Sequence, residues 1–281
     1  MRTYLDCYPC FLAQALRAGR IATNDENKIK RLLDELGMML KDIPLESTPP
    51  ENGRLIYKKV SEITGNLDPY KEIKKESTNK ALALYPSLKT HLEKSNADLL
   101  TAIKIAIAGN VIDFGANWDF NLEEEIEDIL RKNFAVYDYG DFKYRLDKAG
   151  EILYIADNAG ECVFDRILIE QMKKPVIYAV RGKPIINDAT YEDALEAGIH
   201  EVATIFSSGA DGPGAILETC SAEFNEIYNK AEFIISKGQG NYEALSNERR
   251  PIFFLLKVKC KVIADDIGVD QGDIVLKGVD L

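Results

Sequence analysis

Two acids and an amide follow the apolar run of "YIADNAGE" (154–161), at the point where its hydrophobic residues end. They are Asp157, Asn158 and Glu161, and Asp188 follows the next apolar run in the same way. Carboxylate and amide oxygens are hard ligands that suit Mg²⁺ or Mn²⁺, whereas zinc prefers histidine and cysteine. Asp157, Asn158 and Asp188 together could therefore hold a divalent cation.

The histidines of the chain, His91 and His200, both lie away from these motifs in the sequence. A histidine-rich zinc site is therefore nearly excluded. A purely structural role for the acids stays equally open, because Asp157 and Asn158 could cap the helix that follows them. Asp188 could cap the helix predicted for "ATYEDALEAG" in the same way.

Polar residues also follow the other apolar runs of the second half. They are Arg181 after the second run, Ser207 and Ser208 after the third, and Lys237 after the fourth. Ser207 and Ser208 begin "SSGADGPG", whose backbone N–H groups could hold phosphate oxygens at the start of a helix. Neither this stretch nor "KGQGNYE" matches the Walker or the dinucleotide fingerprint. Arg181, Ser207 and Ser208 are candidates for binding a substrate, and Lys237 is a candidate phosphate contact.

Asn110 and Asp113 interrupt a strongly apolar helix predicted from residue 97 to residue 113. They are three residues apart and therefore share one face of that helix. They could form a satisfied polar pair at the helix end, or they could reach across a cleft to the acids. The spacing alone does not decide between these two interpretations.

Cys7 and Cys10 form a C-x-x-C at the start of a predicted helix. Metal binding by such a motif usually takes a second pair of cysteines, and the chain has none. A redox motif of the thioredoxin type should follow a strand of a βαβ unit. A structural role is favoured over a metal or redox role, and turnover is not expected to need these cysteines because they are distant in sequence from the acids.

The apolar periodicity divides the chain into an all-helical domain (1–135) and a Rossmann-like α/β domain (136–281). Short apolar runs in the second half begin roughly 25–30 residues apart, which is the repeat of βαβ units with parallel strands. The predicted strands cover residues 151–156, 175–180, 201–206, 232–236 and 261–264. The run "PIFFLLKVK" (251–259) is predicted to be a short helix, and residues 273–278 could add an edge strand. The helical domain is expected to pack on a mostly parallel, doubly wound sheet, with the polar residues at its carboxyl edge.

The composition limits the partners. The chain has 281 residues, a formal net charge of −11 and 46% hydrophobic residues. An acidic protein repels phosphate backbones and anionic lipids, so nucleic acid and membrane surfaces are unfavoured partners. An odd number of cysteines, no signal-like N-terminus and no long apolar stretch favour a cytoplasmic protein, and a homo-oligomer stays possible.

Four motifs and their order resemble a known family. They are "GNVIDFG" (109–115), "DNAGE" (157–161), "INDAT" (186–190) and "KGQGNYE" (237–243). Together they are similar to the metal-dependent damage-control phosphatases, formerly a family of unknown function. The N-terminal C-x-x-C resembles the microbial and archaeal branch of that family.

The resemblance implies a helical domain packed on a Rossmann-like domain and a metal-dependent hydrolase of phosphate monoesters. Its substrates would be small metabolites such as sugar phosphates or damaged phosphometabolites. The implied cofactor is Mn²⁺, Mg²⁺, Ni²⁺ or Co²⁺, held by Asp157, Asn158 and Asp188. The implied roles of the other residues are phosphate contact by Lys237, support of the ligands or proton transfer by Glu161, and contact with the substrate by Asn110 and Asp113.

Other functions and two mechanisms stay open. The same edge could bind an anionic ligand or a nucleotide without catalysis, or an adenosyl cofactor for methyl transfer, although no glycine-rich loop follows the first strand. In a phosphatase, water could attack phosphorus directly, or Asp157 could first form a phosphoaspartate. Ala159 occupies the position where some aspartyl phosphatases have a second acid, which favours direct attack by water, oriented by Glu161 or Asp113.

Overall fold

The structure is a computed structural model that describes residues 1–96, 98–110 and 122–281. The helices in these ranges are α1 (Cys7–Ala22), α2 (Glu26–Leu40), α3 (Pro49–Thr64), α4 (Lys71–Lys94), α5 (Leu99–Gly109), α6 (Leu122–Arg131), α7 (Tyr139–Lys148), α8 (Cys162–Met172), α9 (Tyr191–Glu196), α10 (Ala222–Lys230), α11 (Gly238–Leu245) and α12 (Lys261–Ile267). The strands are β1 (Val136–Tyr137), β2 (Ile152–Ile155), β3 (Val176–Val180), β4 (Thr204–Ser207), β5 (Ile234–Lys237), β6 (Ile252–Lys257) and β7 (Ile274–Val279).

Local signals set the boundaries of the N-terminal helices. The Thr48 hydroxyl accepts from the backbone N–H of Glu51, and the Glu51 carboxylate accepts from the backbone N–H of Thr48, which is the capping box that starts α3. The helix ends at Gly65, whose φ of +80° gives a left-handed cap. The apolar faces of α1, α2 and α3 then pack on one another in a cluster of their own, which includes Leu32 and Ile56.

The sheet has seven strands in the order β1-β7-β6-β5-β2-β3-β4. The strands from β6 to β4 are all parallel, and β7 runs antiparallel to β6. Chain order reverses between β2 and β5, so the two strands whose ends carry "DNAGE" and "KGQGNYE" meet at the switch point of the sheet. This doubly wound arrangement confirms the predicted fold class.

Both faces of the sheet are covered. Tyr154 of β2 faces a cluster that also contains residues of α4, α5, α6 and α8, and Leu153 faces the opposite cluster with α10, α11 and α12. Because helices from both halves of the chain share one cluster, the division at residue 135 stays a prediction. Within the described ranges, no helix is both long and apolar enough to cross a membrane.

Two elements of the second half differ from the sequence predictions. Residues 252–257 form β6, a central strand, and residues 261–267 form α12, so the predicted helix and strand are exchanged. β6 is buried on both faces, and such a strand has no alternation that separates it from a buried helix. Fourteen residues (238–251) connect β5 to β6, whereas 20 or more connect β2 to β3, β3 to β4 and β4 to β5, so this repeat is shorter than the others.

The last strand and the glycine-rich stretch also differ. Residues 274–279 form β7, which lies between β1 and β6 and is therefore not an edge strand. "SSGADGPG" does not open an α-helix, because a single 3₁₀ turn at Leu217–Thr219 follows it.

Candidate active site

A cleft of about 470 Å³ lies at the carboxyl edge of the sheet, between α1 and α3 on one side and the ends of β2, β3 and β6 on the other. Residues from these separate elements line it, among them Cys10, Gln14, Asp157, Asn158, Asp188 and Lys259. The volume falls in the range of roughly 300–1,000 Å³ that is typical of small-molecule sites.

The three predicted ligands come together in this cleft. The backbone N–H of Ala189 donates to the carbonyl of Asp157 at 2.7 Å, and Asn158 and Asp188 form an isolated β-bridge. These contacts extend the pairing of β2 and β3 beyond the strands, so both loops carry their side chains to one place. The donor set is two carboxylates and one amide.

The helix-cap interpretation of these residues is wrong. α8 begins after Glu161 and has no side-chain cap. α9 is capped by Thr190, whose hydroxyl and backbone N–H both bond to Asp193. Asp157, Asn158 and Asp188 therefore cap neither helix, and all three line the cleft.

Glycines bring backbone close to the ligands. Gly238 has a φ of +76°, and a Cβ atom there would lie 1.8 Å from Oδ2 of Asp157. The Asp157 carboxylate thus rests against the first residue of α11, where only glycine fits. Gly160 lies in the turn before α8, and a Cβ there would lie 3.1 Å from the backbone of Ser77 in α4, so the glycine permits close packing of the two segments.

Burial and mutual repulsion act on the acids of the site. Burial raises the pKa of Asp157 well above its usual value, and the charges of Glu161 and Asp188 raise it further. Burial also raises the pKa of Asp188, although Arg181 opposes that shift. Two buried carboxylates with an amide beside them fit a hard divalent cation, because such an ion would offset their repulsion. Among the described residues, no three Asp, Glu, His or Cys side chains form a metal-binding group, so a cation held here would also need the Asn158 amide oxygen.

Two amides share the same carboxylate oxygens. Asn110 Nδ2 donates to Asp157 Oδ2 at 2.9 Å and to Glu161 Oε2 at 3.0 Å. Asn158 Nδ2 donates to the same two atoms at 3.1 and 3.0 Å. The carbonyl oxygens of both amides therefore point away from the acids, and the buried Oδ1 of Asn110 has no hydrogen-bond partner within the described ranges. Asn110 does reach the site, as one sequence interpretation expected, whereas Asp113 lies outside the described residues.

Lys237 lies beneath the site and does not line the cleft. It is fully buried, and its ammonium group donates to the carbonyl of Ala106 at 2.9 Å, to Glu161 at 2.6 Å and to Asp165 at 2.5 Å. Burial lowers the pKa of Lys237, but the charges of Asp165 and Glu161 outweigh burial and raise that pKa well above its usual value. All the ammonium donors are thus used inside the protein, and the phosphate contact of Lys237 stays a prediction.

The other predicted substrate contacts also lie off the cleft. Arg181 is buried behind Asp188, to which its Nε donates at 2.7 Å. Ser208 is buried and donates to the carbonyl of Val180, and Ser207 lies at the end of β4, the outermost strand on that side. Neither serine lines the cleft. The reason is topological: β4 is two strands away from the switch point.

The sequence interpretation missed residues that hold the site together. Asp165 accepts hydrogen bonds from Tyr154 and Tyr178, each at 2.7 Å, as well as from Lys237. Burial raises the pKa of Asp165 to about 6, against the lowering effect of the Lys237 charge. Its signal in the sequence was a lone acid in the apolar "CVFDRILI", one helical turn after Glu161.

Asn241 was missed as well, although it stands one helical turn after Lys237 in "KGQGNYE". Its Nδ2 donates to the carbonyls of Ala156 and Lys237, and its Oδ1 accepts from the backbone N–H of Ala215 and from Arg181. It therefore ties together the ends of β2, β3 and β5 and the glycine-rich loop.

Three thiols line the cleft. Their separation in the sequence gave no sign that they would lie at the same site. Cys7 and Cys10 lie in the first turn of α1, and Cys260 lies just before α12. Burial raises the pKa of Cys7 and of Cys260. The expectation that turnover does not need Cys7 and Cys10 stays a prediction, but distance is no longer an argument for it.

Comparisons with known proteins agree with this architecture. A family model of the damage-control phosphatase ARMT1-like domain matches residues 3–275. An uncharacterized protein of Methanocaldococcus jannaschii is 40% identical over 96% of this chain and 93% of its own length. A damage-control phosphatase of Pyrococcus horikoshii is 38% identical over 98% of this chain and 97% of its own, and one of Archaeoglobus fulgidus is 34% identical over 98% of each.

A solved structure matches the fold as closely. The crystal structure of a DUF89 family protein from Pyrococcus horikoshii has a TM-score of 0.89 and 36% identity, over 98% of each chain. The family match covers nearly the whole chain, and it includes all the motifs at the switch point. The chain therefore belongs to the damage-control phosphatase ARMT1-like family, formerly DUF89.

Proposed function

We propose that the protein is a metal-dependent phosphatase that hydrolyses phosphate monoesters of small metabolites. Membership in a family of damage-control phosphatases supports a phosphatase role. The observation that carries the metal dependence is the convergence of Asp157, Asn158 and Asp188 from two strand ends into one cleft at the switch point. The cleft's size suits a small metabolite.

In this proposal Asp157, Asn158 and Asp188 hold a divalent cation such as Mn²⁺ or Mg²⁺. When bound, the cation would neutralise phosphoryl oxygens and make an attacking water more acidic. Glu161 fixes the amide of Asn158 so that its carbonyl oxygen faces the cleft. Asn110, at the end of α5, donates to Asp157 and restrains its carboxylate in one orientation.

The contacts of Asp157 favour direct attack by water over a phosphoaspartate. A nucleophilic aspartate needs one oxygen on the cation and the other free and in line with the phosphorus. Here Oδ2 of Asp157 accepts from two amide groups and lies against Gly238. That leaves Oδ1 for the cation and no free oxygen for attack. The attacking water would then be held by polar groups of the cleft.

The test uses the full chain stripped of metal with a chelator. Phosphate release is measured over a panel of phosphate monoesters, without metal and with added Mn²⁺, Mg²⁺, Ni²⁺ or Co²⁺. We expect no release without metal and restored release with at least one of these ions. Full activity in excess chelator would exclude the metal-dependent mechanism, and saturable binding without phosphate release from any ester would favour the non-catalytic binding module.

A further inference from the structure

The thiols of the cleft have no part in the proposed hydrolysis. Cys7, Cys10 and Cys260 all line the cleft, and all three are free thiols. The other cysteines of the chain, Cys162 and Cys220, do not line it. Reactive thiols in proteins are partly exposed and often lie in C-x-x-C motifs or at the start of a helix. Cys7 and Cys10 meet both of these conditions, so the cleft carries a second kind of chemistry beside its acids.

Cys10 is the thiol that a soluble reagent reaches first. It is exposed, whereas Cys7 and Cys260 are half-buried. Its Sγ accepts a hydrogen bond from Nε2 of Gln14 at 3.1 Å, and Oε1 of Gln14 accepts from the hydroxyl of Tyr57 at 3.2 Å. Because the Tyr57 hydroxyl takes the oxygen of this amide, the amide nitrogen faces the sulfur. Gln14 therefore holds the Cys10 sulfur at the surface of the cleft.

Cys7 lies within reach of Cys10. The two residues occupy the first turn of α1, three positions apart, and therefore share one face of the helix. Helix geometry separates their Cα atoms by about 5 Å, inside the range of roughly 4.4–6.8 Å that a disulfide spans. Burial raises the pKa of Cys7, and the charges of Glu243, Cys260 and Cys10 raise it further. Cys7 is thus the enclosed thiol of the pair, and Cys10 is the accessible one.

Cys260 is tied to another part of the site. Its Sγ accepts from Nε2 of Gln239 at 3.5 Å. Gln239 directly follows Gly238, the residue against which the Asp157 carboxylate rests. A disulfide to Cys260 would therefore disturb the loop that fixes a metal ligand, whereas a disulfide inside the first turn of α1 would not. The C-x-x-C pair is the one that can be oxidised without a change at the metal site.

We propose that Cys10 and Cys7 form a site of thiol–disulfide exchange with low-molecular-weight disulfides. The sulfur of Cys10 attacks one sulfur of the small disulfide, whose S–S bond breaks as a mixed disulfide forms, and one small thiol leaves with the proton that Cys10 has lost. Cys7 then attacks the Cys10 sulfur, and the second small thiol leaves with the proton of Cys7. Two protein thiols are oxidised by two electrons, and the small disulfide is reduced to two thiols.

The second step keeps the cleft open. A small thiol attached to Cys10 would occupy part of a cleft of only about 470 Å³, which the metal ligands also line. The internal disulfide adds no atoms to the cleft. Cys7 therefore protects the site from lasting blockage, because it expels whatever thiol Cys10 has taken up. The protective role rests on the proposed function, whereas the exchange between the thiols does not.

The test compares the wild type, Cys7→Ser, Cys10→Ser and the control Cys220→Ser in the full chain, each reduced and then treated with oxidised glutathione. Cys220 is a suitable control because burial raises its pKa to about 11 and it lies off the cleft. Intact mass and peptide mapping identify the products. We expect the wild type and Cys220→Ser to lose two hydrogen atoms and to link Cys7 to Cys10. Cys7→Ser should carry one glutathione on Cys10, and Cys10→Ser should form neither product.

The same samples test the protective role. Phosphate release with saturating Mn²⁺ is compared with that of each protein's own reduced form. Treated Cys7→Ser should lose most of its release and regain it with dithiothreitol, while the treated wild type should keep its release. A Cys7→Ser protein that carries glutathione on Cys10 and stays fully active would overturn the protective role.

A wild type that does not react, that keeps glutathione on Cys10 or that links Cys7 to Cys260 would overturn the exchange site. If Cys10→Ser does not fold, as judged by circular dichroism, Cys10→Ala carries the same comparison. A wild type that forms the internal disulfide but releases no phosphate from any ester, with any of the ions, would contradict the proposed function and leave the exchange site standing.

Discussion

At the scale of single residues, the direction of a side chain decides its role as much as its chemical type. Lys237 and Lys259 carry the same charge and both lie near the carboxyl ends of strands. Lys237 points into a fully buried group of acids, whereas Lys259 lines the cleft. The sequence identifies both as cations and cannot separate them, because direction depends on which neighbours the fold brings close.

The contact between Gly238 and Asp157 gives a sharp test of the ligand geometry. Gly238→Ala would place a methyl group on the Asp157 carboxylate, at a φ of +76°. We expect it to abolish Mn²⁺ binding and turnover. Gly268→Ala is the control, because Gly268 has a φ of +83° and nothing within 4 Å of the added Cβ. It should cost about 1–2 kcal/mol of stability from strain alone and keep full metal affinity. Equal metal affinities in the two variants, measured by calorimetry, would contradict this geometry.

Replacing Lys237 should lower the free energy of unfolding rather than remove a contact with the substrate. Lys237→Met leaves the carboxylates of Glu161 and Asp165 buried without their cation. Breaking a buried ion pair in this way costs about 3–5 kcal/mol, which we expect to see in chemical denaturation. The double variant Lys237→Met, Asp165→Asn should recover part of the loss, since one of the two unpaired charges is removed. A Lys237→Met protein of unchanged stability that binds phosphate poorly would restore the direct-contact role.

At the scale of elements, the hydrophobic periodicity and spacing of the sequence correctly predicted four strands of the sheet. β2, β3, β4 and β5 fall where apolar runs end in polar residues, and the ligands follow from those ends. The predicted helix and strand were exchanged at residues 252–257 and 261–267. The reason is that a central strand buried on both faces shows no alternation of polar and apolar residues. Asn241 was missed for a different reason: its importance comes from four partners on separate segments, which only the folded chain brings together.

The carboxyl edge of the sheet should be sensitive to substitution of Asn241. Asn241→Leu keeps the number of side-chain heavy atoms and the branch at Cγ but leaves the four partners without their hydrogen bonds to Asn241. We expect a loss of about 3 kcal/mol or more in unfolding free energy, together with weaker Mn²⁺ binding as the ends of β2 and β3 shift. Asn225→Leu, which removes a single bond to the carbonyl of Leu217, should cost only about 1 kcal/mol and leave Mn²⁺ affinity intact. Similar denaturation midpoints for the two variants would show that Asn241 does not tie the edge together.

At the scale of the whole molecule, the proposed function requires an acidic chain to bind an anionic substrate, which calls for positive charge in the cleft. The net charge of −11 is spread over the protein, while the buried carboxylates, the proposed cation and Lys259 meet at the switch point. Repulsion among the carboxylates destabilises the metal-free protein, and metal binding should relieve it. Stability, metal and pH should therefore be linked.

This linkage has a definite sign. The pKa values of Asp157 and Asp188 are raised in the folded state, so the folded chain binds more protons than the unfolded chain above about pH 4. The unfolding free energy of the metal-free protein therefore falls as pH rises through the raised pKa values. Because Mn²⁺ must displace these protons, it should raise Tm more at pH 8 than at pH 5. Thermal melts with and without saturating Mn²⁺ check this, and an equal rise in Tm at both pH values would contradict it.

The central claim is that the acids and the amide at the ends of β2 and β3 hold a divalent cation on which phosphate release depends. The most direct measurement is phosphate release from one hydrolysed monoester as a function of free Mn²⁺, for wild type and Asp188→Asn. The substituted amide keeps the shape of the side chain and an oxygen for Arg181, so the fold should persist. We predict that Asp188→Asn needs on the order of 10²-fold more Mn²⁺ for half-maximal release, because one anionic ligand has become neutral. The same Mn²⁺ dependence in both proteins would contradict the account.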